Sequence, residues 1–319
     1  MILPLLRLVD IRSDLEMNSL INLGEKEIRV KGRIIRIAHM DGEKFKFVED
    51  PESLLAKVRD CGRRIDVFTF MQKAVDQVPK FKYQMEWDNL AVLSIPSYEK
   101  WWNETLGFKA RNKAKQAEKK GVTIAEVPFD DVLVKGIWEV YNESPVRQGK
   151  PFWHYGKDIE TVRKMAGTFL ESSIFIGAFL GGHMIGFIKL VTDDTRTQAG
   201  LMHITSMMSH KDKAPTNALV AAAVRACAER GIPNLVYSNF AYGKKQYDSL
   251  SEFKERNGFQ KIDLPRYYIP LTARGRLALR MGLHHSLAER MPESIATRLK
   301  TLRNRWYNRK LPVPITGVS

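Results

Sequence analysis

The sequence predicts an α+β protein: a mixed, mostly antiparallel sheet flanked by helices, with a smaller amino-terminal α+β unit and a basic helical tail. Three observations predict it. Short runs rich in β-branched and aromatic residues alternate with helix-period segments from residue 28 to residue 271. Gly181-Gly182 separates two apolar runs of strand length, which is the turn chemistry of a hairpin and so of antiparallel pairing. Helix boundaries are punctuated at both ends, with Pro215 at a first helical position and Gly121, Gly231 and Gly258 as stops.

Residues 1–96 form the small unit. Strand-like runs occur at 28–38, where IRVKGRIIRIA alternates, and at 44–48, 65–70 and 90–95, with a helix over 51–60. One helix is predicted from 97 to 120, aromatic at its start and basic at its end, joining this unit to the next over 97–121. Residues 122–272 then give strand 122–127, helix 130–142, a loop over 143–157, helix 158–170, strands 173–180, 183–192 and 200–208, helix 215–230, strand 234–239, helix 249–256 and strand 260–271. The tail, 273–319, is helical. Within it Ile295, Leu299, Leu302 and Trp306 recur at spacings of four, three and four, while Arg298, Lys300, Arg303, Arg305, Arg309 and Lys310 largely occupy other faces.

A chain of 319 residues with 44% hydrophobic and 27% charged side chains is long enough for about two domains and a real core. The longest apolar stretch, 169–191, is broken by Glu171, His183 and Lys189, so no segment is predicted to span a bilayer. The first residues lack the basic start and cleavage site of a secretory signal. Cys61 and Cys227 are too few for a disulfide framework, and the expected location is a reducing cytoplasm. His203, His284 and His285 show no metal-ligand spacing, so no metal is predicted.

The formal charge of +15 is unevenly placed. Residues 273–319 carry 10 basic against 2 acidic side chains, and Lys109, Arg111, Lys113, Lys115, Lys119 and Lys120 face only Glu118. These two stretches hold +13 of the excess, which points to a phosphate-bearing partner: RNA, a nucleotide-linked metabolite or an anionic membrane face.

The order of elements in 122–272, with Asn239 closing the fifth strand and FKERNGF at 253–259 ahead of the last, resembles the GNAT acyltransferase superfamily. That resemblance implies a donor turn between the fourth strand and the following helix, where a glycine-rich loop usually offers N–H groups to a pyrophosphate. Here the turn is His210-Lys211-Asp212-Lys213-Ala214-Pro215-Thr216-Asn217, with no glycine, and Lys254 stands where a tyrosine is often found. Both departures resemble the FemABX branch of aminoacyl-tRNA-dependent transferases. The basic segment 111–122 and the Phe253-Lys254 pair carry that likeness, which covers about residues 100–272.

The resemblance implies an acyltransferase that moves an aminoacyl or other acyl group onto a substrate amine. A fixed ammonium at Lys254 would stabilise the oxyanion that develops when the amine attacks. In the 143–157 loop, Arg147 and Lys150 suit a phosphate or carboxylate, Trp153 and Tyr155 offer stacking faces, and His154 could take the proton from the attacking ammonium because an ordinary imidazole titrates near neutrality. Asn239 and Tyr242 are further candidates for substrate contact, and Lys211, Lys213, Asn217 and Lys244 for donor contact. No tightly bound cofactor is expected, since the acyl donor is a co-substrate: an aminoacyl-tRNA or, in the alternative, an acyl-CoA. The basic stretches over 109–120 and 273–310 would meet tRNA, with peripheral contact to the inner face of an anionic membrane a second use of the tail. A peptidoglycan-precursor acceptor follows from the family alone. The third reading is a non-catalytic RNA- or membrane-associated protein on the same scaffold.

Overall fold

The structure is a computed structural model that describes residues 19–24, 26–147, 150–241 and 247–285. The described residues divide into two compact units: those of 19–90 with 239–241 and 261–285, and those of 91–238 with 247–260.

The first unit contains strands β1 (Ser19–Asn22), β2 (Glu27–Lys31) and β3 (Ile37–Met40), helix α1 (Pro51–Asp60), strand β4 (Val67–Met71) and the start of β5 (Gln84–Ser94). The late strand β13 (Gln260–Pro270) and helix α7 (Ala273–Arg280) complete it. Its strands run in the order β1-β2-β3-β4-β13-β5, with β3 and β4 parallel and β13 antiparallel to β4. Residues 266–270 pair with β4, through Tyr267↔Phe70 and its neighbours, so the last strand of the segment read as 122–272 belongs to this unit from Lys261 onward. The helix read as a linker over 97–121 likewise falls within the second unit.

The local chemistry of this unit is plain. Alternation over 28–38 is real but interrupted: Gly32 takes φ +92°, and a Cβ there would lie 2.1 Å from the Ile35 carbonyl oxygen, so one predicted strand becomes the hairpin β2–β3. The predicted strand 44–48 is a turn, since the N–H groups of Phe45 and Lys46 both donate to the Gly42 carbonyl. Asp50 caps α1 by accepting from Ser53 N, Pro51 occupies the first position, and Leu54, Leu55 and Val58 go into a core with Ile28, Phe68, Phe70 and Tyr267.

The second unit begins with the end of β5. A short helical turn, Tyr98–Lys100, runs into a π-helical turn, Trp101–Thr105, in which Leu106 N donates to Trp101 O. Helix α2 (Phe108–Lys119) follows. The single helix predicted over 97–120 thus breaks at Gly107, whose N–H donates to Arg256 O and whose position would put a Cβ 2.9 Å from that oxygen. Next come β6 (Thr123–Glu126), α3 (Asp131–Asn142), a two-rung ladder β7 (Val146–Arg147) and β8 (Lys150–Pro151), and α4 (Ile159–Ala166). Strands β9 (Ser173–Leu180), β10 (His183–Thr192) and β11 (Ala199–Ser206), helix α5 (Pro215–Glu229), strand β12 (Asn234–Val236) and helix α6 (Ser249–Arg256) complete the unit.

The strand order is β5-β12-β11-β10-β9-β6, antiparallel except for β11 with β12. Asp130 caps α3 through Leu133 N, and the stripe Leu133, Ile137, Val140 and Tyr141 packs with Val162, Phe175 and Phe187. Cys227 is buried in α5, and burial pushes its thiol up to about 12, so it is a core side chain rather than a reactive one. Lys189 is also fully buried. Its ammonium donates to the carbonyls of Ala166 and Thr168 at the end of α4, and desolvation lowers it to about 8.

No helix among the described residues is long and apolar enough to cross a membrane.

Candidate active site

The site is built where two parallel strands of the second unit part. Strands β11 and β12 are in register only at Ala199↔Leu235 and Gly200↔Val236. Beyond those pairs β11 continues to Ser206, held on its other side by β10, while the chain after β12 follows β5 instead: Tyr237 N donates to Ala91 O, and Ala91 N to Ser238 O. Ser238 takes a left-handed φ of 53° at that departure. Past Gly200 β11 has no ladder with β12, and the Ser206 carbonyl at its end is taken by a side chain, the Arg147 guanidinium.

Directly after β11 comes the turn that the sequence marks for the donor. Met208–Lys213 is a 3₁₀ turn, Ala214 is left-handed with φ 54°, and Pro215 starts α5. Glu143 holds its entrance, accepting from Met208 N at 3.0 Å and Ser209 N at 2.8 Å. Burial opposes ionisation of Glu143, but those two donors and the Arg147 charge hold its carboxyl below the usual range. The far end is tied to the basic helix: Asp212 O accepts from Gln116 Nε2 and from Lys120 Nζ, both at 3.0 Å, and the Asp212 carboxylate pairs with Lys120 at 3.1 Å. Lys213 pairs with the same carboxylate at 3.4 Å, and Lys211 is exposed. Asn217 N donates to Ala214 O, and Thr216 Oγ1 lies 2.8 Å from Ser206 Oγ, joining the first turn of α5 to the end of β11.

The 143–157 loop closes on the same strand. Arg147 is a bracket: Nη1 donates to Ser206 O at 2.6 Å, Nη2 to Val140 O at 2.8 Å, and its guanidinium lies 4.2 Å from the Phe152 ring centroid. Two of its donors are thus directed at main-chain carbonyls. His154 stacks on Tyr141, with centroids 4.2 Å apart and planes 18° apart, and meets His203 of β11 edge-on at 5.9 Å. Desolvation, reinforced by Lys157, His203 and Arg147, depresses its imidazole to about 3. The near-neutral titration assumed from sequence therefore does not hold, and His154 is a neutral ring at physiological pH. Burial likewise pushes the Tyr141 hydroxyl up. Trp153 and Tyr155 are exposed, with the Lys157 ammonium 3.4 Å over the Trp153 ring centroid. Lys150 stands in β8.

Lys254 differs most from a surface lysine. In α6 it is Ser251 and Lys254, 0% exposed, that face inward, while the neighbouring Phe253 is only half-buried. The Lys254 ammonium lies 4.8 Å from the centroid of Tyr237, the first residue past β12 at the splay. Asp248 caps α6 through Leu250 N and Ser251 N. Burial opposes its ionisation, but these bonds and the Lys254 charge hold its carboxyl down.

Asn239 belongs to the first unit, where its amide donates to Asp88 at 3.1 Å. Asp88 also accepts from Arg266 Nε at 2.9 Å, and the Arg266 fork engages both oxygens of Glu43 at 2.8 and 3.0 Å. Burial works against the Arg266 charge, yet the two carboxylates raise its pKa, while Glu43 is held low by Arg266 against its own desolvation. Sequence reading missed this network; its members are up to 223 residues apart. Tyr242, Lys244 and the tail from 286 lie outside the described residues.

No family model and no curated protein matches the sequence. Solved structures do match the fold. FemX superposes with a TM-score of 0.58 at 11% identity, over 83% of this chain and 91% of that one. The C-terminal domain of an Agrobacterium fabrum protein described as a lysylphosphatidylglycerol synthetase gives 0.55 at 14%, over 83% and 87%. L-PGS from Bacillus licheniformis gives 0.51 at 14%, over 83% and 89%. The chain has a GNAT-type fold, shared with FemX and L-PGS.

Proposed function

We propose that the protein is an acyltransferase of the FemX kind, taking an aminoacyl group from a tRNA ester to a substrate amine. The observation that carries this reading is the bond between Lys120 and Asp212, which makes the basic face of α2 continuous with the donor turn beside the splay. A CoA pyrophosphate needs only the turn and the first N–H groups of α5. An RNA strand needs a track of cations leading away from it, and Lys113, Lys115, Lys119 and Lys120 are exposed along α2.

In this reading the acyl ester lies beside β11 where it parts from β12, and the amine attacks its carbonyl there. Lys254 supplies positive charge in a water-poor setting beside Tyr237, where it favours the oxyanion over the neutral carbonyl. Arg147 and Glu143 fix the walls, one bracing β11 against α3 and the other holding the turn. The C–O bond of the ester breaks as the C–N bond forms, and the proton lost by the amine ends on the departing tRNA hydroxyl; His154, its basicity depressed by burial, is poorly matched to carry that proton and in this reading lines the pocket instead.

The test is a transfer assay comparing charged tRNA with acyl-CoA as donor. The name of the Agrobacterium protein describes lysine carried on phosphatidylglycerol, so a lipid acceptor belongs in the assay beside amines. Product from charged tRNA alone supports the reading. Product from acyl-CoA alone moves the assignment to an acyl-CoA-dependent N-acyltransferase, and binding without product from either moves it to a non-catalytic scaffold.

A further inference from the structure

We propose that Glu86, His284 and His285 form a divalent-metal site of the zinc-binding type in the first unit, fastening the chain that leaves α7 to strand β5. The three residues are remote in sequence but converge in space. Helix α7 ends at Arg280, Gly282 turns the chain with φ 64°, and the next two imidazoles both reach one carboxylate. Glu86 Oε1 lies 2.7 Å from His284 Nε2 and 3.4 Å from His285 Nε2, and the three ligand atoms all fall within 4.8 Å of one another.

Those separations are close to what a small ion demands. Ligands about 2.0–2.1 Å from a tetrahedral zinc stand roughly 3.3 Å apart, so a cation could enter with small movements of the Glu86 and His285 side chains. The His284 side chain is 2% exposed, with the Tyr268 ring edge-on at 4.7 Å between centroids and the His285 ring at 4.0 Å. Two nitrogens and one carboxylate, with no thiolate, suit Zn²⁺ or another borderline cation better than Ca²⁺ or Mg²⁺, which take oxygen ligands. Three protein ligands leave a fourth position for water. The donor set lies in the first unit and shares no residue with the site at the β11–β12 splay, so this inference does not depend on the proposed transferase activity.

The experiment uses the full, tag-free chain, stripped with a chelator and then titrated with Zn²⁺ against a chromophoric competitor, and separately with Co²⁺ while its visible absorption is recorded. Two variants keep the surroundings intact: His285→Gln, which leaves the His284–Glu86 contact, and Glu86→Gln, which preserves volume. The expected result is one equivalent bound per chain, with affinity at least about tenfold weaker in each variant and a tetrahedral Co²⁺ spectrum lost in both. If the wild-type chain takes up no stoichiometric metal, or either variant binds as wild type does, the three residues are only a hydrogen-bonded Glu–His pair with a neighbour, and the site is overturned.

Discussion

The Lys120 ammonium bonds Asp212 twice, at its main-chain oxygen at 3.0 Å and at its carboxylate at 3.1 Å, so the end of the basic helix α2 is fastened to the turn that opens α5. An exposed ion pair of this kind contributes little stability, typically under about 1 kcal/mol. Its significance is positional. The cations of α2 and those of the turn share one frame, so that under the proposed function a polyanion bound to one would meet the other in fixed register.

Reversing Lys113, Lys115 and Lys119 to Glu while keeping Lys120 tests that frame without breaking its anchor. All three are exposed, so the fold should be preserved. Binding of tRNA should weaken, and the slope of log affinity against log salt should flatten by about 0.7–0.9 for each phosphate contact removed. An unchanged slope would take α2 out of the interface.

Arg147→Ala should be felt first in stability. The guanidinium is mostly buried and bridges Val140 O to Ser206 O, and truncation strands both carbonyls while removing the face that covers Phe152. Losing these bonds should cost about 1–3 kcal/mol, read as a lower midpoint in urea unfolding. A variant as stable as wild type would show that Arg147 is not the bracket between α3 and β11.

The fold was legible where the information is local. Gly181-Gly182, Pro215 and the two apolar runs of residues 173–192 place β9, β10 and the start of α5 almost to the residue, because turn chemistry and run length act over neighbours. What failed needed a partner out of view. The break at Gly107 depends on the Arg256 carbonyl, and the membership of β13 depends on β4. The site divides the same way. The donor turn, Arg147, His154 and Lys254 were all marked from sequence, but the depressed imidazole of His154, the carbonyls that occupy Arg147 and the inward turn of Lys254 are properties of packing. Glu143 could have been suspected from its i,i+4 spacing with Arg147, whereas the Glu43–Arg266–Asp88 network left no local trace.

The low pKa of His154 makes a prediction about pH with a definite sign. In the folded protein the ring titrates at about 3, and in the unfolded chain near 6.5, so between those values the unfolded state binds the extra proton. Stability therefore falls as pH drops from about 6.5 toward 3 and is unaffected by this group above 6.5. His154→Phe, which keeps an aromatic ring against Tyr141, should flatten the wild-type loss over that window. NMR of the imidazole should show no titration down to pH 5, and a midpoint near 6.5 would return His154 to an ordinary solvated histidine.

Lys254→Met separates charge from packing at the splay. Methionine nearly matches the buried stem, so the hydrophobic contacts of α6 are retained while the ammonium over Tyr237 is lost and Asp248 loses a favourable neighbour. If the charge serves only to hold α6, the variant should melt earlier and turn over normally once folded. If it serves the oxyanion, the chemistry itself must slow, because the interaction exists mainly after the carbonyl oxygen has gained charge. The expected result is a fall in kcat of about 10²–10³ with donor affinity little changed, in line with deletion of one oxyanion donor. Measuring kcat, donor Kd and the thermal midpoint on the same preparation distinguishes the two roles, and a normal kcat in a folded Lys254→Met protein would leave the proposed chemistry without its cation.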